Sequence, residues 1–412
     1  MLNLNIFVSI RLFWQTIISK KIYDMSIVLF DTEDRKSLYP LTTARSVADI
    51  RIGILTRKEW WEVVSNQKVY VSTEKHLQPL YAKIPEGKHL YIRSTILPEA
   101  HLLKKLLLLS ENRALLDENG QLIAANGSDT FFQEILSGKS QNKQTSKINS
   151  VKKLEFPWQI FQWNEVYLRA DFELLTKNRK SAKISKTNQV IAPENIFIEK
   201  DAVVECSILN ASTGPIYIGK QVTIMEGACI RGAFAILKNS VVKMGAKIYG
   251  ATTIGPNCVV GGEIKNSVLM ANSNKAHDGY LGDSVIGQWV NLGGGTTNSN
   301  IKNTVGPIKM WNIDTDKETE IGKKGGCIVG DYSRTAINSS INTGSIFGIA
   351  SNIFGNGLLP TKIPNGIWGT DNKSPYLVKN AIRDIEKWME LKNHTIKNTE
   401  KEIIEFILEK KA

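Results

Sequence analysis

The sequence predicts an α/β, Rossmann-like N-terminal domain, then a left-handed parallel β-helix of hexapeptide repeats, then a C-terminal helical segment. Three observations carry this. Ile218, Ile224, Ile230, Ile236, Val242, Ile248, Ile254 and Val260 recur every six residues without a break. At a chance of about 0.4 per apolar hit, eight in register are no accident, and a six-residue period is that of a coil with flat sides. Before residue 175 short apolar runs alternate with helical stretches, the pattern of an α/β domain. From Tyr376 to Lys411 apolar residues return at helical spacing (Val378, Ile382, Ile385, Met389, then Ile403, Ile404, Ile407, Leu408) and fit helices that cap the coil or pack along it. The implied domains are 25–175 and 190–370, with a polar linker at 176–189 and helices over 371–412.

Composition limits the functional classes. The chain has 412 residues, 42% hydrophobic and 22% charged, and so has the makeup of a folded multidomain protein. A net charge of +12 suits anionic partners such as nucleotides or phosphosugars, although lysines in the polar stretches Lys139–Lys153 and Lys177–Lys186 supply much of it. No basic stripe interleaved with aromatics occurs, so nucleic acid is not expected as a partner. Cys206, Cys229, Cys258 and Cys327 are too scattered for a zinc site or a disulfide framework, which fits a reducing, cytoplasmic setting. Residues 1–24 are interrupted by Arg11 and Gln15 and are too short for a membrane span. They read either as an amphipathic surface helix or as an extension ahead of a working start at Met25.

Taken in order, Ser26–Phe30 is a first buried strand and Arg57–Val64 a helix. Lys68–Val71 and His89–Ile92 are further strands. Leu102–Leu109 is a helix or a wholly buried run, and Ala114–Ala124 is a hairpin centred on Asn119-Gly120. Neither standard glycine-rich phosphate loop occurs in this half. The stretch Asp31–Lys58 is instead dense in charge, with Arg45, Asp49, Arg51 and Lys58 around a Pro40-Leu-Thr turn. It reads as a phosphate-binding loop or as a solvated one. In the repeats, a small residue follows most aliphatics by four positions (Ala228, Ser240, Ala246, Thr252, Cys258), where an inward corner leaves no room for bulk. Ile286 and Leu292 continue the rhythm, and Val329, Thr335, Ile341 and Phe347 resume it after an irregular insertion at Lys302–Lys324.

Glu263–Asn300 holds most of the chemistry-bearing residues. Acyl transfer to an amine needs a base active near neutral pH, groups that hold phosphate and hydroxyls, and accessible backbone. His277, in a break between hexads, is the residue type for the base. Glu263 can orient it, Lys265 can pair with a phosphate, and Gly293-Gly294-Gly295 leaves backbone open to a thioester arm. The competing reading is a surface histidine beside a glycine-rich coil turn.

Ser37–Glu62 (SLYPLTTARSVADIRIGILTRKEWWE) and Pro157–Leu175 (PWQIFQWNEVYLRADFELL) resemble the ends of the nucleotidyltransferase domain in a bacteroidete-type sugar nucleotidyltransferase family. That family is related to the bifunctional N-acetylglucosamine-1-phosphate uridyltransferase/glucosamine-1-phosphate acetyltransferases. Its motif positions here are Arg45, Asp49, Arg51, Gly53, Lys58, Asn164 and Asp171. Glu263–Asn300 resembles the acetyltransferase site of the bifunctional enzymes, and Gly330–Gly369 the end of the coil. The resemblance implies His277 as general base supported by Glu263, with Lys265, Tyr280 and Asn291 holding the sugar phosphate and Asn300 beside the acetyl group. Lys302 and Lys309 are candidates for a second phosphate lysine, because Ile301-Lys302-Asn303 replaces the usual Tyr-Asp-Gly. The resemblance further implies acetyl-CoA along Gly293–Gly295, Mg²⁺ with Asp171 as a ligand, sugar-1-phosphate and nucleoside triphosphate substrates, and a homotrimer. The expected function is synthesis of UDP-N-acetylglucosamine, a cell wall precursor. The alternatives are a nucleotidyltransferase alone (for example of glucose-1-phosphate with dTTP) on a scaffold coil, or a non-catalytic sugar-nucleotide-binding assembly protein.

Overall fold

A computed structural model describes residues 25–139, 144–371 and 374–410. The N-terminal extension 1–24 lies outside the described residues. The chain forms two compact units. The first takes the chain up to Arg35, Arg45–Ile50 and Leu55–Glu155; the second takes Lys36–Ala44, Arg51–Ile54 and everything from Phe156. The helix Gln159–Thr176 therefore belongs to the second unit, although the sequence places the domain boundary at its end.

The first unit is built on a six-stranded sheet: β1 (Ser26–Phe30), β2 (Val69–Ser72), β3 (Lys88–Arg93), β4 (Arg113–Leu116), β5 (Leu122–Ser128) and β6 (Thr145–Lys147), in the order β2-β1-β3-β5-β4-β6. β1 pairs parallel with β2 and β3, whereas β5 runs antiparallel to β3 and β4. β1 is apolar on both faces because both are covered. Val28, Phe30, Tyr91 and Phe132 share one core cluster, with the Tyr91 and Phe132 rings stacked at 3.9 Å. The expected β4–β5 hairpin is present, its turn closed by the Gly120 amide on the Asp117 carbonyl at 3.0 Å. Ala100–Leu107 settles as a helix. Thr56 starts the helix Arg57–Ser65 with a reciprocal capping box to Glu59.

The second unit is a three-faced parallel β-helix. Its faces are sheets of six, nine and eight strands. Ile218 pairs with Ile236 and Ile236 with Ile254, three hexads per coil. All eight periodic aliphatics are buried, as are Ala228, Ser240, Ala246, Thr252 and Cys258. Further along, the coils shorten: Ile254 pairs with Leu269 and Leu269 with Ile286. The Lys302–Lys324 insertion, expected to be irregular, carries an ordered antiparallel hairpin, Ile308–Asn312 against Lys317–Gly322. The polar stretch 176–189 lies against the first coil: the Ala182 amide bonds the Ile198 carbonyl at 2.8 Å, and Arg179 pairs with Glu199 at 2.7 Å. The helices Val378–Glu390 and Asn398–Glu409 bury Ile382, Ile385, Met389, Ile403, Ile404, Ile407 and Leu408. Between them Lys392 Nζ donates to the Asn257 and Asn272 carbonyls at 2.7 and 3.0 Å, so this segment packs along the coil.

Candidate functional site

The Glu263–Asn300 stretch occupies consecutive rungs. Glu263–Lys265 lies between Lys247–Tyr249 and Tyr280–Gly282, pairing Glu263 with Tyr280 and Lys265 with Tyr249. Because strand side chains alternate, Glu263, Lys265, Tyr249 and Tyr280 share one face while Ile264 and Leu281 fill the core. The Tyr249 hydroxyl donates to Glu263 Oε1 at 2.5 Å, and the Lys265 ammonium stands 5.7 Å from the Tyr249 ring centroid. The hydrogen bond to Glu263, with burial and the carboxylate charge, pushes the Tyr249 hydroxyl up to about 12. Tyr249 was not anticipated from sequence; only its register beside Lys265 marks it.

Asn300 reaches the same cluster. Its Nδ2 donates to the Tyr280 hydroxyl at 3.0 Å and to Asp283 Oδ2 at 2.5 Å, while Asn266 donates to Asp283 Oδ1 at 2.6 Å. Burial, reinforced by Asp283, Tyr249 and Glu263, raises the Tyr280 hydroxyl well above the ordinary tyrosine value, so it stays a neutral hydrogen-bonding group. Asn291 lies on the next face, its Oδ1 accepting from Asn274 Nδ2 at 3.2 Å.

His277 sits in the corner before Tyr280–Gly282, and its side chain is exposed. It stands over Gly294: a Cβ at that glycine would lie 3.6 Å from His277 Cγ and 3.7 Å from Cδ2. Gly293 and Gly295 have a different reason to be glycine. A Cβ at Gly293 would fall 2.5 Å from the Ala336 carbonyl, and one at Gly295, where φ is +73°, would fall 2.1 Å from Asn338 Oδ1. Close coil stacking therefore fixes those two, and Gly294 alone of the three borders the imidazole. Lys302 is exposed and donates to the Pro307 carbonyl at 2.6 Å; Lys309 is exposed on the hairpin strand Ile308–Asn312.

The predicted residues of the first half divide between the units. In the first, Arg45 is buried and Asp49 half-buried, and Asp49 Oδ2 accepts from the Tyr81 hydroxyl at 2.6 Å. Burial pushes the Asp49 carboxyl up, opposed by Tyr81, Arg45 and Lys58; Lys58 itself pairs with Glu62 at 3.6 Å. In the second, Arg51 donates to the Ile54 carbonyl. Asn164 accepts the Gly53 amide at 2.8 Å and donates to the Ala251 carbonyl at 2.7 Å. Asp171, the expected metal ligand, is 1% exposed, and its Oδ2 accepts the Ile54 amide at 2.8 Å. Its carboxylate is thus built into the packing of the second unit. Among the described residues no cluster of three or more His, Cys, Asp or Glu is placed to hold a metal.

The first unit has a cleft the sequence did not disclose. A cavity of about 470 Å³ opens beyond the C-terminal ends of β1 and β3, lined by Thr32, Glu33, Asp34, Arg93, Gln121 and Gly138 among others. Crevices beyond carboxyl strand ends are where α/β sheets bind ligands. Arg93 Nη2 pairs with Asp34 at 2.8 Å and its Nη1 donates to Gln121 Oε1 at 3.0 Å. Gln121 also accepts from Lys153 Nζ at 3.1 Å, and Lys153 pairs with Asp117. These partners come from β3, the turn after β4 and the segment after β6, too far apart in sequence to form a readable motif.

Residues 27–180 match the family model described as "Sugar nucleotidyl transferase". The chain is similar to the bifunctional protein GlmU of Zymomonas mobilis, 25% identical over 205 residues that make up 48% of this chain and 42% of that one. To the GlmU of Methanococcus aeolicus it is 36% identical over 120 residues, 29% of each chain. It thus spans less than half the length of these curated relatives. Among solved structures it is similar to the Francisella novicida UDP-N-acetylglucosamine acyltransferase, with a TM-score of 0.36 and 14% identity, over 55% of this chain and 87% of that one. No described helix is long and apolar enough to cross a membrane.

Proposed function

We propose that this chain, whose residues 27–180 match the sugar nucleotidyl transferases, is a bifunctional enzyme making UDP-N-acetylglucosamine. The β-helix would transfer acetyl from acetyl-CoA to the amine of glucosamine-1-phosphate. The first unit would then join uridylyl from UTP to the sugar phosphate. The observation that carries the reading is His277: a histidine exposed beside an open glycine, next to rungs bearing Glu263, Lys265, Tyr280 and Asn300.

His277 takes the proton as the amine nitrogen attacks the thioester carbonyl. A C–N bond forms, the C–S bond breaks, and the proton passes to the departing thiolate. Lys265 supplies the positive charge for the sugar phosphate, Tyr280 a neutral hydroxyl donor, and Asn300, its Nδ2 held by Tyr280 and Asp283, an amide oxygen acceptor. In the first unit, Arg93 and Lys153 offer charge to a triphosphate at the cleft. Mg²⁺ arriving with the triphosphate would neutralise its charge; it needs only one or two protein carboxylates, and Glu33 and Asp34 line the cleft. The reading carries a cytoplasmic homotrimer, which light scattering checks.

Because the family match covers only the first part of the chain, nucleotidyl transfer alone, with the coil as scaffold, is the second reading. Release of free CoA thiol on adding glucosamine-1-phosphate to acetyl-CoA separates the two. Thiol release that collapses about 10²–10⁴-fold in His277→Ala supports the bifunctional enzyme. No release from folded wild type refutes it, and a panel of nucleoside triphosphates with sugar-1-phosphates then tests the second reading.

A further inference from the structure

Ile264, Leu269, Lys275, Leu281 and Ile286 are successive inward positions of the coil, as their pairings with one another and with Val260 establish. Four are apolar. Lys275, stacked between Val260 and Leu292, is 1% exposed. A buried ammonium is unfavourable unless it is hydrogen-bonded, and an aliphatic would fill the site as it does on the rungs to either side. What the lysine adds is a donor. Its Nζ donates to the His277 carbonyl at 2.5 Å and to the Gly261 carbonyl at 3.3 Å. The next two carbonyls of the same corner are held by backbone amides: Asp278 by Gly295 at 3.2 Å and Gly279 by Glu263 at 3.1 Å. The peptide that carries the imidazole is thus tied from inside the coil. Burial lowers the amine to about 8, partly opposed by Asp278, so it remains mainly protonated at neutral pH.

We propose that Lys275 is the positioning residue of the acyl-transfer site, its ammonium fixing the His277 carbonyl from within the coil so that the imidazole faces the open side at Gly294. The assignment rests on the acyl-transfer reading above. Lys275→Met keeps the buried stem and removes both bonds; Lys275→Leu, matching Leu292 and Leu281, serves if Met does not fold. The expected result is an intact coil by circular dichroism, at least ~10-fold faster hydrogen exchange for residues 276–280 and for the Gly295 and Glu263 amides, and unchanged exchange elsewhere. Turnover of thiol release should fall at least ~10-fold with KM for acetyl-CoA little altered. An active wild type whose folded variant shows unchanged corner exchange or unchanged turnover overturns this proposal alone. A wild type that releases no thiol refutes acyl transfer and overturns the positioning role with it.

Discussion

Two glycines flank His277 and should respond in opposite ways to one methyl group. Gly279 has a φ of +119°, and a Cβ there would stand 2.1 Å from the Thr296 carbonyl oxygen and 2.9 Å from its carbon. That oxygen belongs to backbone in the next coil and cannot swing aside. Forcing alanine into this conformation costs about 1–3 kcal/mol, and overpacking adds about 1–3 kcal/mol. The sum, about 2–6 kcal/mol, is a large share of the 5–15 kcal/mol typical of a folded domain. For a unit of this size the thermal midpoint should drop on the order of 10 °C. Gly294→Ala instead places its methyl 3.6–3.7 Å from the His277 ring, an ordinary contact. Stability should change by less than about 0.5 kcal/mol. The methyl would occupy the space through which a thioester reaches the imidazole, and misplacement near 1 Å lowers turnover about 10²-fold. Calorimetry and thiol release on both variants are the assay. A Gly279→Ala protein as stable as wild type would refute the packing argument. Full activity in Gly294→Ala would refute the open side of the imidazole as the acyl route.

Other expectations follow from single contacts. Asn164→Ala removes the acceptor of the Gly53 amide and the donor to the Ala251 carbonyl; with buried groups left unmatched it should cost about 1–3 kcal/mol for each, read as a lower midpoint. Arg93→Gln should lower nucleotidyl transfer about 10- to 100-fold and leave thiol release unchanged; equal loss of both would count against separate sites. Although burial raises it, the Asp117 carboxyl is held below the usual range by Lys153 and by the Gln121 and Asn119 amides. A carboxyl depressed by folding stabilises the protein above its unfolded value and loses that contribution as pH falls through the folded one. Lys153→Met should therefore move acid unfolding to higher pH, and an unchanged acid midpoint would deny the pair its weight.

The coil was legible because six-residue periodicity is a local signal: each aliphatic and each small corner residue reports its own position, and none needs a distant partner. The cleft was not, because Asp34, Arg93, Gln121 and Lys153 meet only once β1, β3, β4 and β6 are assembled. The charged motif between Arg45 and Lys58 drew attention by its composition, but in the structure Asp49 answers Tyr81, and Arg51 answers a backbone carbonyl. Such groups are as charge-rich as a substrate site and cannot be told from one without burial. Lys275 shows the subtler failure. Counting by sixes from Val260 leads to Asn266 and Asn272, whereas the shortened coils put Ile264, Leu269 and Lys275 inside. Two missing residues in one corner and one in the next shift the phase enough to hide a buried lysine among surface positions. The phase shift has a chemical consequence. The two short steps ahead of Leu269 put Lys275 at an inward position, from which its Nζ reaches the His277 carbonyl.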